Sequence, residues 1–292
     1  MKILLVNDYG TLAGGAEVIV FGLRDALRSR GHDVRVFTSS AADDSQPILA
    51  DDQAPGTTSC WRTLVQCVNP PAARRLRGTI ATFRPDVVHV NLYLTQLSPL
   101  ILRSLRNVAA VYYAQWYRAI CPLGTRRLPD GAICGVRSGM PCLMNRCVPP
   151  WAWAALMAQM ACDGAWGSSF SRVTAISAAV AARLAEFGAP HLRAAEVAYP
   201  GTPVVPCRTA AEMSPEPTIV AAGRLVPEKG IDVLIRAFAR LMARSRDARL
   251  VVLGDGPQRQ ALERLVAGLG VTDRVEFRGW RSRADTLATI RQ

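Results

Sequence analysis

The stretch AAGRLVPEKG, residues 221–230, joins a short apolar run to a helical pattern. The run TIVAA stops at Gly223. Arg224, Pro227, Lys229 and Gly230 follow, and then IDVLIRAFARLMARS takes up a 3.6-residue period. A strand that ends on glycine and turns directly into a helix is one β–α unit of a parallel sheet. Its connection carries two cations five residues apart. Gly223 lets the backbone approach a ligand with no Cβ in the way. Arg224 offers a planar fork of donors suited to phosphate oxygens, and Lys229 adds a compact second charge. Pro227 stiffens the loop, and Gly230 opens a helix whose N-terminus favours anions. Preorganised cations of this kind stabilise a diphosphate that gains charge as its bond breaks. The plainer alternative is an ion pair between Arg224 and Glu228 on a solvated loop.

The same alternation extends in both directions. Downstream, ARLVVLG reads as a strand, PQRQALERLVAGLG as a helix, RVEFRG as a strand, and a few helical residues lead to Gln292. Upstream, KILLVN, HDVRVFTSS, RPDVVHVN, VAAVYYAQ and RVTAIS read as strands, with helices at 17–31, on both sides of Asn69-Pro-Pro, at SPLILRSLRN, at 151–165 and at AAVAARLAEFG. Residues 41–60 read as loop. Residues 116–150, with four Cys, five Pro and four Gly, read as an irregular excursion off the sheet. The polar CRTAAEMSPEP, 207–217, reads as a linker. The expectation is an α/β chain of two Rossmann-like doubly wound domains facing a cleft: residues 1–206 with a Cys-rich insert at 116–150, a linker at 207–217, and a smaller domain at 218–292. With only three β–α pairs, the second domain is expected to be incomplete in this sequence.

Composition agrees with a folded chain and an acidic partner. The 292 residues are 50% apolar, and 35 Lys and Arg against 23 Asp and Glu leave a net charge of +12. That balance suits a phosphorylated ligand, an anionic lipid surface or nucleic acid. No basic block interleaved with aromatics supports nucleic acid. MKILLV is too short for a signal sequence and WAWAALMAQMA too short to span a bilayer, so the expected setting is the cytoplasm, where eight cysteines stay as thiols.

Taken together, GRLVPEKGIDVLIRAFARL, RLVVLGDGP and VEFRGW resemble the donor domain of retaining family-4 glycosyltransferases of the GT-B fold. GGAE at 14–17, PDVVHV at 85–90 and YRAICPLGTRRLPDGAIC at 117–134 are similar to their acceptor domain. The resemblance implies transfer of a sugar from a nucleotide-diphosphate donor to a glycan or lipid-linked acceptor, as in polysaccharide biosynthesis. It implies that Arg224 and Lys229 bind the donor diphosphate, that Gly14 and Gly15 face it from the other domain, and that Gly223, Gly254, Asp255 and Gly256 shape the nucleotide pocket. No D-x-D occurs in the chain, so cations and helix N-termini would replace the divalent metal that such carboxylates hold, and no cofactor is required.

The sequence departs from that family in two places. Gln115 stands where relatives carry a His near the reacting sugar; Gln can position a sugar but carries no proton. His89, at a strand end, either lines the cleft or is a satisfied core residue, and Asn91 follows where a second His is common. The family's E-x7-E motif does not occur before Gln292, so this chain alone is expected to be weakly active or inactive.

Three readings stay open. Cys121, Cys134, Cys142 and Cys147, spaced C-x12-C-x7-C-x4-C, form either a structural zinc site or four half-buried thiols. Trp151, Trp153 and Trp166 either seat the acceptor domain peripherally on an anionic membrane or anchor a core helix. Besides the transferase, an inactive paralogue or nucleotide-sugar-binding protein fits the altered site. An NAD-dependent oxidoreductase fits less, because Arg259 replaces the third glycine after GDGP.

Overall fold

A computed structural model of the chain describes residues 1–12, 14–41, 47–201, 216–243 and 247–291. The chain divides into two compact units, Met1–Thr202 and Pro203–Gln292. The expected linker lies outside the described residues except for Glu216 and Pro217, and Cys207 lies outside them too.

The first unit contains β1 (Lys2–Val6), α1 (Gly15–Arg28), β2 (Asp33–Ser39), β3 (Asp52–Ala54), α2 (Arg62–Cys67), α3 (Pro70–Phe83), β4 (Val87–Val90), β5 (Ala110–Ala114), α4 (Met140–Met144), α5 (Pro150–Trp166), β6 (Arg172–Ala175), α6 (Ala178–Phe187) and β7 (Glu196–Val197). Its seven strands lie in the order β3-β2-β1-β4-β5-β6-β7, and every pairing is parallel. The chain winds outward from β1 to β3, then returns beside β1 and winds the other way from β4. The order therefore reverses between β1 and β4, where doubly wound sheets bind their ligands.

Alternation along the strands supplies two buried faces. Leu4, Val6, Val88, Val90 and Tyr112 pack with Leu76, Leu97 and Leu102 on one side. Ile3, Leu5, Val34 and Val36 pack with Val20 and Phe21 of α1 on the other. α3 starts where the sequence places a stop and a restart: the Asn69 side chain accepts from Ala72 N at 3.1 Å, and Pro70 fills a first-turn position that needs no donor.

The second unit contains β8 (Thr218–Ala222), α7 (Ile231–Met242), β9 (Arg249–Leu253), α8 (Arg259–Gly268), β10 (Val275–Gly279) and α9 (Arg283–Arg291). Its three strands are parallel in the order β10-β9-β8, around Leu225, Ile235, Phe238, Leu250, Val252 and Leu262. Both units are thus the expected α/β type. No helix among the described residues is long and apolar enough to cross a membrane.

The structure corrects three local expectations. The loop 41–60 contains β3, a polar three-residue strand held by its pairing with β2. SPLILRSLRN forms a short 3-10 turn, Pro99–Ser104, rather than an α-helix. The irregular insert holds the short helix α4 and one bridge between Arg127 and Ile133.

A buried carboxyl group sits under this core. Tyr93 packs edge-on against Tyr112 and against Phe170, and its hydroxyl donates to Asp163 Oδ1 of α5. Burial pushes Asp163 up from its ordinary 3.8 to about 7. A folded-state pKa above the unfolded value means that its contribution is full below about pH 4 and is lost as pH rises through 7. Wild type is therefore expected to lose about 2 kcal/mol more stability between pH 5 and pH 8 than Asp163→Asn, which keeps the acceptor for Tyr93 and removes the charge. Urea denaturation of both proteins at the two pH values checks this, and parallel curves would contradict it.

Candidate active site

In the second unit, the loops after β8 and β9 pack backbone against backbone. Leu225 N donates to Asp255 O at 2.9 Å and Gln258 N to Leu225 O at 3.1 Å, while Gly223 N and Gly254 N donate to Leu253 O and Gly279 O. Gly254 has φ +132°, and a Cβ there would lie 1.9 Å from Gly223 O. Gly256 likewise approaches Leu225 O. These glycines let two strand-end loops merge into one surface.

The two cations of the opening stretch stand on that surface. The Lys229 stem runs past Gly223, whose added Cβ would meet Lys229 Cδ at 3.8 Å. Lys229 closes a 3-10 turn, Pro227–Lys229, and Gly230, at φ +63°, caps the start of α7. Arg224 has a side chain 70% exposed and touches Glu228 Oε1 only at 3.8 Å, a surface pair of little energetic weight. The structure thus brings Arg224, Lys229, Gly223, Gly254, Asp255 and Gly256 together at the carboxyl ends of β8 and β9. The surface pairs cationic donors with a helix N-terminus, an arrangement that receives phosphate oxygens.

In the first unit, the switch point between β1 and β4 gathers polar residues that the sequence reading did not connect. Gln115 Nε2 donates to Asn91 Oδ1 at 3.0 Å. Asn91 Nδ2 lies 3.3 Å from His89 Nδ1. An amide donor there makes Nδ1 the acceptor and leaves the His89 proton on Nε2. Burial pulls His89 from 6.5 down to about 4, so it is neutral at pH 7. Gln115 keeps its carbonyl oxygen as an acceptor. The chain of three can orient hydroxyl groups, while none of its members is poised to exchange a proton at neutral pH.

Beside them, Asn7, Asp8 and Glu17 are buried. Asn7 Oδ1 accepts from Leu92 N at 3.2 Å, and Asn7 Nδ2 donates to Tyr9 O at 2.9 Å. Glu17 lies at the start of α1 close to Gly14, where an added Cβ would meet Glu17 Oε2 at 3.1 Å. Burial pushes its carboxyl up, against hydrogen bonds with Asn7 and the helix start that pull it down. Gly15 has open space where a Cβ would be. Asp8 receives four hydrogen bonds from Thr95, Gln96 and Leu97 and fixes the loop after β4. The signal for these residues was the polar pair Asn7-Asp8 closing an otherwise apolar strand. Arg118 was missed as well. Its guanidinium is buried and donates to Gln66 Oε1 at 2.9 Å and Gln159 Oε1 at 3.3 Å, tying α2 to α5.

Cys121, Cys134, Cys142 and Cys147 are half-buried free thiols. Burial pushes the Cys142 and Cys147 thiols up, and neighbouring cysteines add to it. Among the described residues, no group of three or more His, Cys, Asp or Glu is placed to hold a metal ion. The tryptophans separate: Trp151 is exposed, whereas Trp153 donates to Gly139 O at 3.0 Å and Trp166 packs on the core under Arg103.

Parallel sheets, a switch-point site and a cationic strand-end loop define an α/β chain of two Rossmann-like units. The chain belongs to Glycosyltransferase Family 4, whose profile it matches over residues 13–204, followed by a match to Glycosyl transferases group 1 over 209–292. It is 42% identical over 66 residues to an alpha-D-kanosaminyltransferase of Streptomyces kanamyceticus, covering 23% of this chain and 17% of that protein. The chain thus matches well under a fifth of that relative's length. Among solved structures, it shares the fold of sucrose-phosphate synthase from Thermosynechococcus elongatus, with TM-score 0.63, 18% identity, and coverage of 100% of this chain and 73% of that one. Anabaena HepE, solved with UDP and glucose, gives TM-score 0.61, 16% identity and coverage of 98% and 71%.

Proposed function

We propose that this protein is a glycosyltransferase that moves a hexosyl group from a nucleoside-diphosphate sugar to a glycan or lipid-linked acceptor, with retained anomeric configuration, in the cytoplasm. One observation carries the reading: Arg224 and Lys229 stand together, without a strong ion pair among the described residues, on a glycine-built loop at the strand ends of the second unit. The sugar C1–oxygen bond to the diphosphate breaks, the oxygen of an acceptor hydroxyl bonds to C1, its proton passes to the departing diphosphate oxygen, and the two cations with the α7 N-terminus stabilise the charge that the diphosphate carries. Gly223, Gly254, Asp255 and Gly256 wall the nucleotide, and at the start of α1 Gly15, beside Gly14, leaves open space for an anionic group. Gln115 and His89 position the sugar. The charge needed at the diphosphate comes from side chains, so the reaction needs no divalent metal. The UDP and glucose bound by Anabaena HepE support the donor class.

A donor-binding protein without turnover is the second reading, favoured by Gln115 and the neutral His89 at the switch point. Calorimetric titration of the chain with UDP, GDP and ADP, with and without a chelator, tests the donor assignment. Binding of at least one nucleoside diphosphate, unchanged by chelator, is expected. Absence of such binding, or a preference for NAD, would overturn it. Incubation with the matching nucleotide sugar then separates the two readings by release of nucleoside diphosphate.

A further inference from the structure

Two short helices of the first unit present apolar stripes to solvent. On and beside α2, Trp61, Leu64 and Val68 are 64%, 57% and 60% exposed. Their spacing puts them on one side, while Gln66 and Cys67 turn inward to α5, where Gln159 Nε2 donates to Gln66 O and Cys67 Sγ to Ala155 O at 3.3 Å. On α4, Met140 and Met144 lie one turn apart and are exposed. Cys142 between them packs inward against Val148, Ala152 and Leu156. Trp151, 72% exposed, opens α5, against which both helices pack.

The charge around these stripes has one sign. Residues 53–162 contain twelve arginines, no lysine and two acidic residues, Asp86 and Asp130. Most of the chain's excess of cations therefore lies in this stretch. Arg62, Arg127 and Arg146 are exposed, and none forms an ion pair among the described residues. Trp, Met and Arg also occur in protein interfaces, so the occupant is decided by charge: twelve arginines against two acidic residues leave an excess of ten positive charges in this stretch, which matches a uniformly anionic surface. Nucleic acid would leave the apolar stripes uncovered. Short amphipathic helices with Trp, Leu and Met on the outer side and arginines alongside suit the headgroup region of an anionic bilayer.

We propose that α2, α4 and the first turn of α5 form a docking surface for an anionic membrane. The surface deepens the proposed acceptor chemistry by bringing the first unit to a lipid-linked substrate, and it rests on that reading for its purpose alone. The tryptophan reading made from sequence is thereby relocated: Trp151 belongs to the surface, while Trp153 and Trp166 belong to the interior.

The test is co-sedimentation of the full chain with vesicles of phosphatidylcholine containing about one-third phosphatidylglycerol, against phosphatidylcholine alone. Binding to the anionic vesicles is expected to be at least ~10-fold stronger and to fall with added salt. Two triple variants, Trp61→Ser/Leu64→Ser/Val68→Ser and Met140→Ser/Met144→Ser/Trp151→Ser, are each expected to lose about 10-fold or more of that binding. Far-UV circular dichroism and nucleoside-diphosphate affinity serve as controls for folding, since all six residues are exposed. Failure to bind anionic vesicles would overturn the proposal. So would variants that bind as wild type does, or variants that change only the oligomeric state, which would make this surface an interface between copies. Vesicle binding requires no donor, so failure of the donor assignment would leave this result standing.

Discussion

In a version of the protein that carries a complete donor domain, Lys229→Ala and Arg224→Ala are each expected to lower kcat/KM for glycosyl transfer by roughly 30- to 1000-fold, about 2–4 kcal/mol of transition-state stabilisation. The size follows from what the two groups are free to do. Lys229 lies along Gly223 and forms no ion pair among the described residues. Arg224 meets Glu228 at 3.8 Å on the surface, so little is given up when the guanidinium turns to a phosphate. As the donor bond breaks, charge grows on the diphosphate, and a cation fixed beforehand by a short 3-10 turn and a helix start gains interaction at that moment. Arg224→Lys retains charge but loses the planar fork, and is expected to recover only part of the loss. Glu228→Gln is the control: it removes the competing carboxylate and is expected to leave turnover near wild type. Steady-state kinetics at subsaturating donor, with calorimetric titration of the nucleoside diphosphate, separates transition-state loss from ground-state binding. Near-normal kcat/KM in both alanine variants would remove the diphosphate from this loop.

That loop was legible because its geometry is local. A strand end, a turn and a helix start within ten residues fix where Arg224 and Lys229 go, whatever the rest of the chain does. The central strands were legible for a related reason: KILLV is buried on both sides by neighbours in a parallel sheet, so it reads as a continuous apolar run. β3 was not legible. Its DQA sequence has no strand pattern and exists through pairing with Phe37–Ser39. The 99–104 segment has helical spacing, yet it is short and begins after Ser98 at φ +65°, and it settles as a tight turn. The first unit's site was legible only as separate residues. Gln115, Asn91 and His89 stood out singly, but their link depends on the β4–β5 register. The partners of Asp8 lie almost ninety residues along the chain. Polar contacts of that sequence separation leave no periodic trace.

Asp8→Ala is expected to cost about 3–6 kcal/mol of stability in the first unit, the largest structural effect of a single substitution near the switch point. Asp8 is fully buried. Oδ1 accepts from Gln96 N at 2.8 Å and Leu97 N at 2.9 Å; Oδ2 accepts from Thr95 N at 2.9 Å and Thr95 Oγ1 at 2.6 Å. Burial pushes the carboxyl up from its ordinary range, and these four donors pull it back. Alanine would strand three backbone N–H groups, those of Gln96 and Leu97 buried and that of Thr95 half-buried, and a buried one costs roughly 1–3 kcal/mol when left unpaired. The loop they hold also carries Gln96, whose carbonyl oxygen accepts from Thr57 N, and Ser98, whose hydroxyl accepts from Asn69 N at the start of α3. Loss of Asp8 should therefore appear in urea denaturation and as faster amide exchange at 95–97. Asp8→Asn decides which protonation state the loop requires. Backbone N–H groups can only donate, so a site completed by the carboxylate cannot accommodate an amide NH2 facing them. The asparagine variant is then expected to lose nearly as much as alanine, about 2–4 kcal/mol. If it instead denatures with wild type, Asp8 is held as the neutral acid and the loop is fixed mainly by Oδ1. Equal stability of wild type and Asp8→Ala would show that the loop after β4 stands without this side chain.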